Sequence, residues 1–220
     1  MKGFFNRLLR IDLSRKKTTV EAIPESVLRT YLGGKGLGSF LLLQENPARV
    51  DPFSPRNRLI FTAGPLADTP FYGSSRFAVF TKSPQTGIYS ESYSGGKITL
   101  YLSRTGYDAI IIEGRSRDPV FLEISDEEVV FHSARELWGK ETYEAEEGIL
   151  KKVGKKEAGA LVIGPAGENL VRFAMIESDR WRSLGRAGIG AVLGSKRLKG
   201  IAFDGKKRRE VADPSALKRL

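Results

Sequence analysis

No cysteine occurs anywhere in the 220-residue chain. Disulfides, thiolate zinc sites and cysteine-bound iron–sulfur clusters are therefore excluded for this chain alone. Histidine is almost as scarce: His132, in "EVVFHSARELW", stands alone. A single imidazole builds no His-rich metal site, and a solvent-facing or core side chain is the expectation for it. No apolar run approaches the ~20 residues that span a bilayer. The opening "MKGFFNRLLRIDLSRKK" has neither a long apolar stretch nor a small-residue cleavage site, so no secretory signal is read there. A cytoplasmic protein without membrane contact is the expectation. Linkers and low-complexity tracts are missing too, and the length fits one domain or two small ones.

What is present is positive charge. Thirty-six Lys and Arg against 26 Asp and Glu give a net charge of +10. Such an excess favours anionic partners without choosing among phosphates, nucleic acid, acidic proteins and membrane surfaces. Part of it lies in the tail "DGKKRREVADPSALKRL", which as sequence reads as a solvated segment. Hydrophobic residues make up 40% of the chain. At this length folding buries roughly 70% of the surface, so a real core is possible.

The order of elements indicates an α+β fold. "LLRIDL" and "TTVEAI" read as paired strands, the first alternating and the second rich in β-branched residues. "PESVLRTYLGGKGLGSFLLLQEN" reads as a helix, a break at Gly33–Gly34 and a second helix. "NRLIFTAGP" and "RFAVFTKSP" are strands, "GGKITLYLSRTG" is a short helix opening on glycines, and "YDAIIIEG" is a fully buried strand. "DPVFLEISDEEVVFHS" is a hairpin. "KETYEAEEGILKKVG" is an amphipathic helix with acids early and lysines late, as the helix dipole favours. "AGALVIGP", "VRFAMIES" and "KGIAFDGKK" supply the remaining strands.

Two stretches echo each other, about residues 57–118 and 158–209. Each runs as a strand ending in Gly-Pro, a strand with Arg-Phe-Ala, a glycine turn into a helix, and a strand ending in acid-Gly. The paired landmarks are Gly64 and Gly164, Arg76 and Arg172, Gly96 and Gly188, and Gly114 and Gly205. Two copies are too few for a solenoid. They suit two halves about a pseudo-two-fold axis, each turning a glycine-opened helix N-terminus towards a shared centre. Free N–H groups at a helix start bind anions, and glycine lets a phosphate approach the backbone. Arginine adds charge-assisted bonds worth roughly 1.5–3 kcal/mol each. The pattern hints at a ligand with two phosphates, or at two similar phosphorylated ligands.

Glycines also serve tight turns and close helix–sheet packing, so at this point both readings stand. "GRAGIG" fits neither the P-loop pattern nor a complete dinucleotide fingerprint. "GGKGLG" at 33–38 follows a helix and not a strand, and reads as a turn.

Several stretches, in collinear order over about residues 3–205, carry a resemblance: "NRLLRIDLS", "YLGGKGLG", "DPFSPRNRLIFTAGPLADTP", "SRFAVFTKSPQTG", "GYDAIIIEG", "LWGKETYE", "IGPAGENLVRFAMI" and "GRAGIGAVLGSKRLKGIA". The chain resembles the N-terminal domain of the tungsten-containing aldehyde ferredoxin oxidoreductases. The resemblance implies a base of two β-sheets, built from two pseudo-symmetric halves with short glycine-opened helices, over residues 1–205. Residues 206–220 would be a basic linker and the start of a next domain. It also implies a tungsten or molybdenum bis-pyranopterin whose phosphates meet at magnesium, and aldehyde oxidation with electrons passing through a [4Fe-4S] cluster to ferredoxin. On this resemblance the cluster, the acid/base residues and the substrate pocket would belong to later domains, outside these 220 residues. The chain would therefore be a cofactor-binding domain or subunit, inactive alone and partnered by missing catalytic domains.

By motif, Arg76 would contact pterin or phosphate, Gly95 would give its backbone to the cofactor, and Arg182 and Gly185 would hold the second pterin, with Tyr93, Gly96, Ser183 and Arg186 also counted as cofactor-binding. Tyr93 and Ser183 would offer main-chain carbonyls to magnesium. Tyr93 stands where the family usually has Asn, Ser183 where it has Ala, and Ala187 where it has Gly. The remaining readings are a diverged anion- or nucleic-acid-binding module without the cofactor, and a homodimer formed through the exposed cofactor face.

Overall fold

The computed structural model describes residues 1–219. The final residue of the 206–220 segment lies outside the described residues. The first half of the chain runs β1 (Arg7–Asp12), β2 (Lys17–Ala22), α1 (Glu25–Tyr31), α2 (Gly34–Glu45), β3 (Leu59–Ala63), β4 (Arg76–Lys82), β5 (Tyr89–Gly95), α3 (Lys97–Arg104) and β6 (Ala109–Glu113). The second half runs β7 (Val120–Ile124), β8 (Val129–Ser133), α4 (Thr142–Val153), β9 (Gly159–Val162), α5 (Pro165–Glu168), β10 (Ile176–Ser178), β11 (Arg182–Leu184), α6 (Ile189–Ser195) and β12 (Leu198–Phe203). Helix α7 (Pro214–Arg219) follows.

Each half makes one six-stranded sheet, in the orders β2-β1-β6-β3-β4-β5 and β11-β10-β9-β12-β7-β8. Reversing the second order matches the sheets strand for strand: β1 with β7, β2 with β8, β3 with β9, β4 with β10, β5 with β11 and β6 with β12. Each sheet has one parallel pair, β1 with β6 and β7 with β12, and every other pairing is antiparallel. This is the α+β fold of two similar halves. The correspondence reaches past the sequence echo, because the hairpins β1–β2 and β7–β8 belong to it.

Period-2 alternation explains the layering. Leu9, Ile11, Phe61, Phe77, Val79, Ile110 and Ile112 point from the first sheet into the main core, where they meet Leu122, Leu161, Ile201 and Phe203 of the second. Helices α3 and α6 contribute Ile98, Leu102, Ile189, Val192 and Leu193 to the same core. The opposite face of the first sheet, with Leu8, Ile60, Phe80 and Ile111, takes Leu28, Leu37 and Leu41 of α1 and α2. The outer face of the second sheet, with Phe121, Ala160 and Val162, takes Ala145 and Ile149 of α4. His132 is half-buried, stacked on Phe121 and within 2.7 Å of the Glu123 carboxylate.

The basic run 206–209 is docked rather than free. Arg209 pairs at 2.6 Å with the buried Asp108, and Arg208 reaches Asp68. The Lys207 N–H bonds the Arg104 carbonyl, and the Gly3 N–H bonds that of Glu210. Residues 204–210 thus strap the second half to the first.

Candidate functional site

The outer strands β5 and β11, one from each sheet, lie against each other. Their registers are equivalent. In the first sheet Ala78 of β4 faces Tyr93, and in the second Glu177 of β10 faces Ser183. Since Thr62 pairs with Ala78 and Val162 with Glu177, Tyr93 and Ser183 occupy the same place in the two halves. The same count makes Gly95 the counterpart of Gly185. Both strands lead into glycine-opened helices, Gly96 capping α3 and Gly188 capping α6.

Close backbone approach accounts for the glycines. A Cβ on Gly95 would fall 2.3 Å from Nη1 of Arg76, and one on Gly96, at φ +101°, would fall 2.6 Å from Nε of Arg182. Gly96 of the first half is therefore where the Arg182 side chain of the second half lies. Bonds across the seam hold it: the Arg186 N–H donates to Ser92 Oγ at 3.2 Å, Ser83 Oγ donates to the Ala187 carbonyl at 2.8 Å, and Asp179 Oδ2 accepts the Ile98 N–H at 3.4 Å. Arg76, Arg182 and Arg186 are exposed. Among the described residues none of them forms an ion pair, whereas Arg10, Arg58 and Arg104 do.

Beside this seam a cavity of about 260 Å³ is lined by Gly34, Gly64, Gly73, Arg76, Phe77 and Tyr93. No atom lies within 4 Å of where a Cβ on Gly64 or Gly73 would sit. These glycines present bare backbone to open space. A second cavity, of about 270 Å³, is lined by Thr142, Gly164, Pro165, Gly167, Met175 and Glu177. It is the pseudo-symmetric partner of the first: Gly64-Pro65 corresponds to Gly164-Pro165, and the start of α2 to the start of α4.

The two sides differ in charge. Arg76 begins β4 opposite Gly95, but Arg172 is no counterpart to it. Arg172 lies in a turn, and continuing the β9–β10 register sets Met175 where Arg76 stands. The pairing of Arg-Phe-Ala motifs is corrected accordingly. Residues 172–175 are drawn from the sheet by α6, as the Gly190 N–H takes the Ala174 carbonyl and Gly188 packs on that of Arg172.

Tyr93 is exposed over the first cavity and meets Phe80 edge-on. Burial, and then the neighbouring Glu91 carboxylate, push its phenol above the ordinary range. Lys35 and Tyr89 both donate to Glu91, at 2.7 and 2.6 Å. Ser183 Oγ donates to Glu177 at 2.9 Å, and burial raises that carboxyl. Ala187 has φ +59°, a left-handed backbone in which glycine would be unstrained.

All eight predicted residues therefore gather along the β5–β11 seam. Sequence reading missed the open-faced Gly64 and Gly73, although Gly64 was a repeat landmark. It also missed Asp179, an acid one turn before the arginines. Among the described residues no group of three or more His, Cys, Asp or Glu side chains is placed to hold a metal. No helix there is long and apolar enough to cross a membrane.

A family model for the N-terminal domain of aldehyde ferredoxin oxidoreductase matches residues 8–205. The chain belongs to this family. It is 46% identical over 213 residues to the tungsten-containing aldehyde ferredoxin oxidoreductase of Thermococcus kodakarensis and 45% identical to that of Pyrococcus furiosus. Each match covers 97% of this chain and 35% of the relative, so the chain spans about a third of the length of these enzymes. Among solved structures, the active site complex BamBC of benzoyl coenzyme A reductase, in complex with 1,5-dienoyl-CoA, superimposes with a TM-score of 0.93 at 39% identity. That match covers 97% of this chain and 32% of the other.

Proposed function

We propose that this domain holds a tungsten or molybdenum bis-pyranopterin cofactor for an aldehyde-ferredoxin-oxidoreductase-type enzyme and performs no catalysis alone. The observation that carries the reading is the β5–β11 seam. There Gly95–Gly96, Arg76 and Arg182 converge from two pseudo-symmetric halves; among the described residues neither guanidinium forms an ion pair, and Arg76 borders the cavity onto which the bare backbone of Gly64 and Gly73 opens.

The residues fit such a group. Arg76 and Arg182 suit phosphate, since a guanidinium makes bidentate, charge-assisted bonds. Gly95 and Gly96 let the Arg76 and Arg182 side chains lie directly on the backbone, and the exposed Gly185 keeps its own backbone accessible. Tyr93 and Ser183, at equivalent positions, are suited to bridge the halves through main-chain carbonyls to magnesium, an oxygen-seeking ion. When bound, the group supplies the two-electron chemistry, and the chain supplies binding, orientation and positive charge. Oxidation of an aldehyde to a carboxylate, the [4Fe-4S] relay and ferredoxin as acceptor are proposed for the whole enzyme, with the missing catalytic domains as partner and the cytoplasm as location. Arg208 and Arg209 are consumed by internal pairs, which favours this reading over a nucleic-acid module.

Exchanging Arg182 or Arg76 for Ala tests the assignment. Each guanidinium is exposed, so thermal stability should hold to within about 0.5 kcal/mol. Bound phosphorus and metal should fall roughly tenfold, the equivalent of one lost charge-assisted contact. Unchanged cofactor content in both variants would remove them from the site.

A further inference from the structure

Behind the Arg182 edge lies a carboxylate that the cofactor reading leaves unused. Glu146 sits on α4 and is 6% exposed. Its two oxygens accept the Asp179 N–H at 2.9 Å and the Arg180 N–H at 3.1 Å. Asp179 and Arg180 have φ of +48° and +58°, in the left-handed region, and neither is glycine. Two such residues in succession are sterically disfavoured and persist only where their surroundings over-determine them.

The surroundings here are specific. Asp179 Oδ2 accepts the Ile98 N–H at the start of α3, and Arg180 pairs with Glu147. The chain then turns through Trp181 into Arg182, whose side chain lies on Gly96. Glu146 therefore grips, from behind, the turn that delivers the second half's arginine to the first half's helix start.

We propose that Glu146 is a positioning residue for the Arg182 half-site. By holding the Asp179–Arg180 turn in its left-handed form it sets Arg182 at the Gly96 edge, and that half-site retains a phosphate only while the clamp is intact. The identity of what Arg182 grips rests on the cofactor reading; the clamp does not.

The test uses protein purified without oxygen from its native host, with any chains that accompany it. Its readouts are bound phosphorus and metal, and the rate of tryptic cleavage after Arg182, a site that every variant keeps. Glu146→Ala removes both acceptors, and should raise cleavage roughly tenfold and lower cofactor content by a similar factor. Adding Arg180→Gly to that background should restore protection and content, since glycine adopts left-handed φ without a Cβ penalty. A general loss of buried-core stability would not be rescued this way. Glu146→Gln keeps one acceptor and should fall between, and it carries the test if the alanine variant fails to fold. The proposal is overturned if Glu146→Gln matches the wild type in both readouts, or if glycine at 180 rescues neither. Wild-type protein free of phosphate and metal would sink the cofactor reading, leaving the clamp to be judged on cleavage and glycine rescue.

Discussion

At Gly64 and Gly205 the same residue type does opposite work. A Cβ on Gly64 would meet nothing within 4 Å, and one on Gly205 would fall 2.2 Å from the backbone of Arg104 and Thr105. Gly64→Ala should therefore leave stability within about 0.5 kcal/mol while reducing cofactor content, and Gly205→Ala should lose about 3 kcal/mol or more by forcing the strap off α3. Chemical denaturation beside metal and phosphorus analysis separates them. The sequence marked both positions equally, because the repeat shows where glycine recurs and not what faces it. Lys196 was invisible for a related reason: a lysine reads as surface. Its buried ammonium instead donates to the carbonyls of Pro55 and Gly114, both at 3.2 Å. Burial, then nearby Arg58, pushes it from 10.5 down to about 7. The folded value lies below the unfolded one, so between those limits the unfolded chain binds the extra proton. Stability should rise with pH from about 7 to 10.5, with a limiting slope near 1.4 kcal/mol per unit for this group, and the penalty is complete below that window. Lys196→Met should remove this contribution to the slope, as read by urea titrations at several pH values.

At the scale of elements, apolar periodicity and glycine breaks made most of the fold legible. The α1–α2 break, the glycine-opened α3, the buried β6, the β7–β8 hairpin and α4 all stand where alternation and capping place them. The seam strands did not. In β5 the buried side chains are those of Ser90, Ser92 and Ser94, followed by the buried Gly95, while Tyr89 and Tyr93 are exposed, so the usual apolar-in pattern is inverted. Strand β11 has 3 residues and helix α5 only 4, too short for any period to register. The strand expected over "VRFAMIES" begins only at Ile176, because α6 claims the carbonyls before it. The site was thus readable as residues and hidden as elements. The strap is a further case, since its charge reads as solvated sequence. Its Arg209 guanidinium is buried against Asp108, which also accepts the N–H groups of Phe5 and Arg7. Arg209→Ala strands that carboxylate and should lower unfolding free energy by about 3–5 kcal/mol in a denaturant titration. A loss under about 1 kcal/mol would mean that the pair contributes little beyond a surface bridge.

At the scale of the molecule, the two halves meet over a common core and bring their equivalent edge strands together. One seam therefore offers two related, unequal half-sites: a basic one with Arg76 and its cavity, and one in which Met175 and Glu177 take the corresponding places. The asymmetry suits a ligand whose two similar parts are held differently. The chain spans about a third of its relatives' length. The most direct test of the central claim is elemental analysis for tungsten, molybdenum, magnesium and phosphorus on protein purified without oxygen from its native host. The account predicts tungsten or molybdenum, magnesium, and about two phosphates for each tungsten or molybdenum atom, held by the domain that carries the seam. Protein free of metal and phosphorus, even with its accompanying chains present, would contradict it.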